Sequence, residues 1–271
     1  MEQRRQDIQA ATPQLHYYDM GVGVTAFSST RRGGYSTGAW GEFNINRYCG
    51  DSDEAIGKNR AALCRLLDIS DDCLLMPHQT HETHVARIDS GFLAHPTPLE
   101  GFDALMTDLT GICIGVSTAD CIPLLLYDEE HRAVCAIHAG WRGTLRRIAQ
   151  HAVSAMCQAY GSHPQRLKAQ TGPGISLESF EVGDEVYEAF RSADFDMQVI
   201  SRRYPSEDPL QQEKWHIDLP LCNRLQLIQA GLQPEHIAPS PACTFLHYDT
   251  FFSARRLSIR SGRIFTAIML R

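Results

Sequence analysis

Short apolar runs and stretches of helical period follow one another along the chain with no repeating unit, and each predicts an element. Val22 to Phe27 alternates weakly, as a strand does, before Arg31-Arg32-Gly33-Gly34 breaks the pattern. Gly38 and Gly41 keep the chain that follows in loops. Ser52 reads as an N-cap, with Asp53 and Glu54 in a first turn where the helix dipole favours acids. Ile56, Leu63, Leu66 and Leu67 recur at helical spacing and predict an amphipathic helix over 53–67. Leu74 to His81 and Val85 to Asp89 predict two strands joined by a tight turn. Ile112 to Ser117, Ile122 to Tyr127 and Ala133 to His138 are dense apolar runs, the pattern of strands covered on both faces.

After His138, Gly140-Trp141-Arg142-Gly143 turns the chain into a helix. Leu145, Ile148, Ala149, Ala152, Val153, Met156 and Tyr160 share one face of it, and Gly161 is its stop. Leu167 to Thr171 predicts a strand ending in Gly172-Pro173-Gly174, and a helix follows over Glu181 to Phe190. A polar loop then runs through Pro209. Its Arg202 to Lys214 stretch is long and unpatterned, as a cover over a pocket would be. Pro220 opens a helix with Leu221, Leu225 and Ile228 inward and Gly231 at its end, and Ile264 to Leu270 returns to strand. Strands and helices mix without strict alternation, which predicts an α+β fold of mixed β-sheets sandwiched with helices. No Gly/Ser run, Pro-rich tract or charge block marks a linker, so a single domain over 21–271 is expected. A loose N-terminal arm over 1–20 precedes it, polar and aperiodic from Met1 to Gln14.

Composition narrows the partners. With 271 residues, 43% of them hydrophobic, the chain can bury one large core. A net charge of -7 offers no basic footprint, so no nucleic acid is expected as partner. No apolar stretch nears the roughly 20 residues that span a bilayer, so no membrane partner is expected either. The start lacks a signal-peptide core, and nine cysteines without an export signal suit a reducing, cytoplasmic setting. Cys64, Cys113, Cys135 and Cys157 lie among apolar residues and read as small core side chains.

The candidate chemistry lies where strands run into turns. Cys121 sits between two apolar runs, after Asp120 and before Ile122-Pro123, and His138 ends a third. Upstream stand His78, His81 and His84, of which an extended segment would turn only one parity toward a site. Cys121, His138 and one of these histidines make the three-ligand set that zinc uses when it does chemistry, with the fourth position open. Beside His138, Gly140 and Gly143 permit close approach, Trp141 offers a flat apolar wall and Arg142 a fork-shaped donor for phosphate or carboxylate. Arg60 is a second candidate for a phosphate cradle, and Asn44 is counted with the substrate-binding residues. Asp120 and Asp103 are candidates for proton transfer.

A set of motifs falls in one order. They are Gln79-Thr80-His81, Gly101-Phe102-Asp103-Ala104-Leu105-Met106-Thr107, Thr118 to Pro123, His138 to Gly143, Gly172-Pro173-Gly174-Ile175, Cys243-Thr244 and Phe251-Phe252-Ser253-Ala254-Arg255-Arg256. From about Arg31 to Arg271 the chain thereby resembles the bacterial laccase-domain family, whose members also carry the names multicopper polyphenol oxidase, peptidoglycan editing factor and purine nucleoside phosphorylase. The resemblance implies a metal site of His81, Cys121 and His138, all three also catalytic. It implies a fold related to a deamidating toxin of cysteine-hydrolase type. Two positions depart from the pattern. Glu82 stands where members often have Gly, and Ala254 where they often have an aromatic residue or His.

For activity the resemblance implies phosphorolysis of adenosine, inosine, guanosine or methylthioadenosine, with purine nucleosides and phosphate as partners, and hydrolytic deamination of adenosine. A zinc site fits both, since an open position can hold substrate or lower the pKa of a water to roughly 7 for attack at purine C6. Two alternatives stand beside it. One is a hydrolase cleaving amides of peptidoglycan precursors, with Cys121 as nucleophile and His138 as base. The other, a copper-dependent polyphenol oxidase, is the poorer one, because the chain's 12 histidines include no His-x-His pair. A metal- or partner-binding module without turnover leaves the open position and the Trp141-Arg142 pair without a purpose.

Overall fold

A computed structural model of the protein describes residues 12–205 and 213–271. One sheet runs in the order β1 (Leu15–Tyr18), β2 (Val24–Ser29), β14 (Ile264–Leu270), β6 (Cys113–Thr118), β3 (Leu74–Leu75). A second runs β13 (Ile237–Ala238), β9 (Lys168–Thr171), β7 (Ile122–Asp128), β8 (Ala133–Ala139), β5 (Ala104–Thr107), β4 (Val85–Arg87). A small third sheet pairs β10 (Glu181–Val182), β12 (Glu213–Ile217) and β11 (Ser201–Pro205). The helices are α1 (Asp53–Leu67), α2 (Ser90–Ala94), α3 (Trp141–Leu145), α4 (Ile148–Tyr160), α5 (Asp184–Ser192), α6 (Met197–Ile200), α7 (Leu219–Gln229) and α8 (Ala254–Leu257).

Side-chain parity explains the layering. In β7, Leu125 and Tyr127 point to one face and Ile122, Leu124 and Leu126 to the other. The first set meets Val134 and Ala136 of β8 and Ile114, Val116 and Ile268 of the first sheet, forming the layer between the two sheets. The second set packs beneath α4 and α7. On the far side, Leu63, Cys64 and Leu67 of α1 cover Phe27, Phe265 and Met269. The result is helix, sheet, sheet, helix. Each fully buried Leu or Ile contributes about 1.5–3 kcal/mol, so the strands that carry the site stand on a rigid base. No helix among the described residues is long and apolar enough to cross a membrane.

Several expectations are corrected. Leu74 to Asp89 is no hairpin, because β3 pairs in parallel with β6 in the first sheet while β4 pairs in parallel with β5 in the second. The long helix after His138 is interrupted at Arg147, whose left-handed backbone (φ 66°) separates α3 from α4. In α7 the buried positions are Leu219, Cys222, Asn223, Gln226 and Leu227, with Leu221, Leu225 and Ile228 only half-buried. Within the loose arm expected over 1–20, Leu15–Tyr18 is a strand paired with β2, and residues 1–11 lie outside the described residues. Of the expected loop cover over Arg202 to Lys214, residues 202–205 and 213–214 belong to the antiparallel pair β11–β12, and 206–212 lie outside the described residues.

Candidate metal centre

β6 ends at Thr118 in one sheet and β7 begins at Ile122 in the other, so Ala119-Asp120-Cys121 crosses between the layers. The crossing is tight. Asp120 takes a positive φ of 82°, which Asp tolerates better than most residues. Its carboxylate accepts from the Thr244 hydroxyl (2.6 Å) and the Arg255 N–H (2.7 Å). This places the Cys121 thiol at one end of the sandwich. His138 shares its parity with Val134 and Ala136 and so points into the same end from β8, 3% exposed. His81 reaches it from the loop before β4, with a left-handed φ of 64°.

Asp103, just ahead of β5, ties these pieces together. Fully buried, it accepts from the backbone N–H groups of Thr80, His81 and Glu82 at 3.2, 3.0 and 2.8 Å. One of its oxygens also lies 2.7 Å from His138 Nδ1. That bond commits Nδ1 and leaves Nε2 of His138 as the nitrogen free for the site. The His81 and His138 rings meet edge to face at 4.8 Å, and His81 Nε2 lies 3.9 Å from Cys121 Sγ. All three ligand atoms fall within 4.8 Å of one another, the one such group found among the described residues. Tetrahedral bonds of zinc length put sulfur and nitrogen about 3.6 Å apart. The donor set and the carboxylate behind one imidazole therefore fit a zinc ion with little movement.

The ionisable groups of the centre act on one another. Burial pushes the Cys121 thiol up, but the charge of His138 and hydrogen bonds from both histidines outweigh it and lower it to about 6. Burial likewise pulls His138 down, and Cys121 and Asp103 together raise it above its ordinary value. Burial raises Asp103, yet its bonds from His138, Glu82 and Thr80 hold it below the usual carboxylate range. Gly140 is needed for closeness rather than for its φ. A Cβ there would stand 2.8 Å from His81 Cδ2 and 3.0 Å from Cys121 Sγ. Gly140→Ala is accordingly expected to lower metal content by at least roughly tenfold while moving the melting temperature by only a few degrees, read by metal analysis beside a thermal melt.

The three ligands open into a cavity of about 400 Å³, within the range of small-ligand sites. Asn46, Tyr48, His78, Gln79, Thr118, Ala254 and Arg263 help to line it. Tyr48, 58% exposed, stacks on His78 at 3.7 Å, and His78 in turn bonds Glu100. A larger cavity of about 690 Å³ beyond Tyr48 holds none of the ligands.

The other residues expected at the site are not among those that line the cavity. Arg142 is exposed and sits over the Trp141 ring at 4.2 Å, and neither residue lines the cavity. Trp141 packs against the core under the helices. Arg60 is drawn to Asp71 (2.9 Å) and the Leu74 carbonyl (3.0 Å), on the wall of the larger cavity. Asp120 has both carboxylate oxygens committed, and Asn44 is fully buried, accepting from the Arg263 backbone N–H at 3.1 Å. Of the two departures, Glu82 pairs with Arg146 outside the cavity, and Ala254 lines it. Sequence reasoning missed Tyr48 and Arg263. Only Ser261-Gly262-Arg263 ahead of the last strand could have flagged the latter.

A thiol and two imidazoles gathered where two mixed sheets meet define a class of protein, and the sequence agrees. Over residues 25–271 the chain belongs to the family described as multi-copper polyphenol oxidoreductase laccase. Among its relatives, the purine nucleoside phosphorylase of Bacteroides thetaiotaomicron is 42% identical over 252 residues, covering 91% of this chain and 92% of that protein. Adenosine deaminase RL5, from an unknown prokaryotic organism, is 44% identical over 251 residues, 91% of this chain and 94% of that protein. The crystal structure of YlmD from Geobacillus stearothermophilus superposes with a TM-score of 0.83 at 28% identity over 94% of each chain.

Proposed function

We propose that this protein is a zinc-dependent purine nucleoside enzyme. It would cleave adenosine, inosine, guanosine or methylthioadenosine with phosphate, and deaminate adenosine with water. The observation that carries this reading is the convergence of His81, Cys121 and His138 within 4.8 Å beside a cavity of nucleoside size. The names of the relatives, purine nucleoside phosphorylase and adenosine deaminase, point to the same substrates.

Zinc held by this trio would supply Lewis acidity and an open coordination position. The chain's own residues do the rest. Asp103 fixes the His138 tautomer, the tight crossing at Asp120 holds the thiolate in place, and the exposed Tyr48 ring offers a purine a flat surface to stack on. In phosphorolysis a phosphate oxygen bonds to C1′ while the C1′–N9 electron pair leaves with the purine, which takes up a proton. In deamination water replaces the amino group at C6 and ammonia departs. A cytoplasmic location fits this pair of reactions, since nucleosides and phosphate are both at hand there.

One observation favours a second reading, a cysteine amide hydrolase: the Cys121 thiol lies 3.9 Å from His81 Nε2 and beside buried His138, and these imidazoles lower it to about 6, as a cysteine nucleophile requires. Copper suits a thiolate with two imidazoles as well, but the described residues gather a single group of three ligands where a multi-copper oxidase needs several centres. The deciding experiment incubates zinc-loaded protein with adenosine or inosine, with and without phosphate, and separates base, ribose 1-phosphate and inosine. Products that are absent, or that persist in Cys121→Ala, sink the reading. In chelated protein, alkylation of Cys121 is expected to stay fast down to about pH 6 and to fall below it, because the lowered thiol is ionised only above that value. Zinc should suppress it. Alkylation following the ordinary thiol range near pH 8.5 would contradict the charge pairing.

A further inference from the structure

The cavity carries a cation that the metal centre does not use. Arg263 lines it beside the three ligands, and its guanidinium donates to no carboxylate, with Asp120 and Cys121 acting on it only as nearby charges. Its guanidinium is held by backbone carbonyls alone. Nη1 donates to Ser261 and Gly262, and Nη2 to Ile259. Of its five N–H groups these bonds take three, so Nε–H and one Nη2 N–H have no protein acceptor. The placement is built in. The Arg263 N–H donates to buried Asn44, and Gly262 lies flat on Phe252, where a Cβ would come within 2.3 Å of the ring.

A second, independent feature lies in the same cavity. Thr118 is 1% exposed, lines the cavity, and its hydroxyl has no hydrogen-bond partner. A buried hydroxyl left unpaired is destabilising, and a ligand oxygen would relieve it. The neighbouring polar groups are already committed. Asn46 donates to the Ser117 hydroxyl and accepts from the Tyr48 N–H, Gln79 brackets the Ser117 backbone, and His78 bonds Glu100. Two N–H groups of Arg263 and the Thr118 hydroxyl are thus uncommitted on residues that line the cavity, and together they complement an oxyanion.

We infer that Arg263 and Thr118 form the seat of inorganic phosphate, the co-substrate of the phosphorolysis proposed above, on which this inference rests. The seat takes the part that the sequence assigned to Arg142. It places the attacking oxyanion in the same 400 Å³ space as the metal ligands, so that both reactants share one enclosure.

The test measures phosphate binding to the zinc-loaded full chain by calorimetry, alongside steady-state kinetics with phosphate varied. Arg263→Gln is expected to raise both the Kd and the KM for phosphate by roughly tenfold or more, with the nucleoside KM changing much less. Thr118→Val should raise them by about threefold to tenfold, and Arg263→Lys, which keeps charge but loses the fork, should fall between wild type and Arg263→Gln. Arg142→Ala, on the outer surface, should match wild type. Zinc content and a thermal melt confirm each variant, and Arg263→Lys and Thr118→Val carry the test if Arg263→Gln does not fold. A folded, zinc-loaded Arg263→Gln with wild-type phosphate affinity overturns the seat, as does a wild type that binds no phosphate. So does Arg263-dependent binding of adenosine 5′-monophosphate in place of inorganic phosphate. The two readings fail separately. Phosphate bound through Arg263 by a protein that cleaves no nucleoside leaves the seat standing and removes the phosphorylase reading, and active phosphorolysis indifferent to Arg263 does the reverse.

Discussion

Cys121→Ala is expected to lose bound metal and nearly all turnover together. It removes the single sulfur from a site in which the other donors are two imidazoles. With one of three protein ligands gone, metal affinity should drop by on the order of 10³-fold and the rate by at least as much. The fold should survive. Cys121 is half-buried in the crossing between sheets, and the bonds that hold that crossing come from Asp120 to Thr244 and Arg255. Metal-to-protein ratio, rate and melting curve, taken on one preparation, check all three parts. Chelation of the wild type separates the competing chemistries, because both readings need Cys121: an amide hydrolase with Cys121 as nucleophile would keep its activity without metal, whereas a metal enzyme would lose it and regain it when zinc is restored. A variant that keeps a full equivalent of metal and still turns over would remove Cys121 from the centre.

Asp103→Asn is expected to have the next largest effect, felt in binding and in stability. The carboxylate is fully buried and answers four donors, the N–H groups of Thr80, His81 and Glu82 and the Nδ1–H of His138. An amide of the same shape turns an NH₂ toward donors that need an acceptor. Loss of such a carboxylate behind a ligand histidine weakens metal binding by about 10- to 100-fold. Leaving buried donors unpaired should lower unfolding free energy by about 2–4 kcal/mol. The pH dependence follows from the direction of the Asp103 shift. Its folded pKa is depressed, so its contribution is complete above the ordinary carboxylate value near 3.9 and is lost as pH falls through the lower folded value. Asp103→Asn should lack that acid limb. Denaturant melts from pH 3 to pH 7 on the wild type and the variant would show it, and parallel curves with equal metal affinity would contradict the role.

Much of this was legible in the chain, and the reasons are local. The helix over 53–67 was marked at its start by the Ser52 cap and along its length by its apolar period, and α1 spans those residues with Ser52 accepting from the Ala55 N–H. The apolar runs at 112, 122 and 133 became β6, β7 and β8, every residue buried, because burial on both faces leaves no room for polar alternation. Cys121 and His138 stood out as polar residues at the ends of such runs. His81 could be chosen from its neighbours only through resemblance. What selects it in the fold is Asp103, 22 residues away in the chain, whose oxygens capture the three N–H groups around it. Nearness in the sequence to a ligand, the ground for Arg142, does not fix where a side chain points: Arg142 is exposed over Trp141, and Arg60, the second candidate, is held by Asp71.

The order of apolar and polar residues by itself determined which segments become strands and helices and which side chains end a strand, since propensity, capping and parity act over a few residues. Only the tertiary structure decided which strands share a sheet, as when β3 and β4, ten residues apart, went to different layers. It also decided that the thiol of one crossing meets imidazoles from two other segments, and that Arg263 rather than Arg142 faces them. Those outcomes depend on contacts between residues distant in the chain, and no local pattern of side chains encodes its own partner.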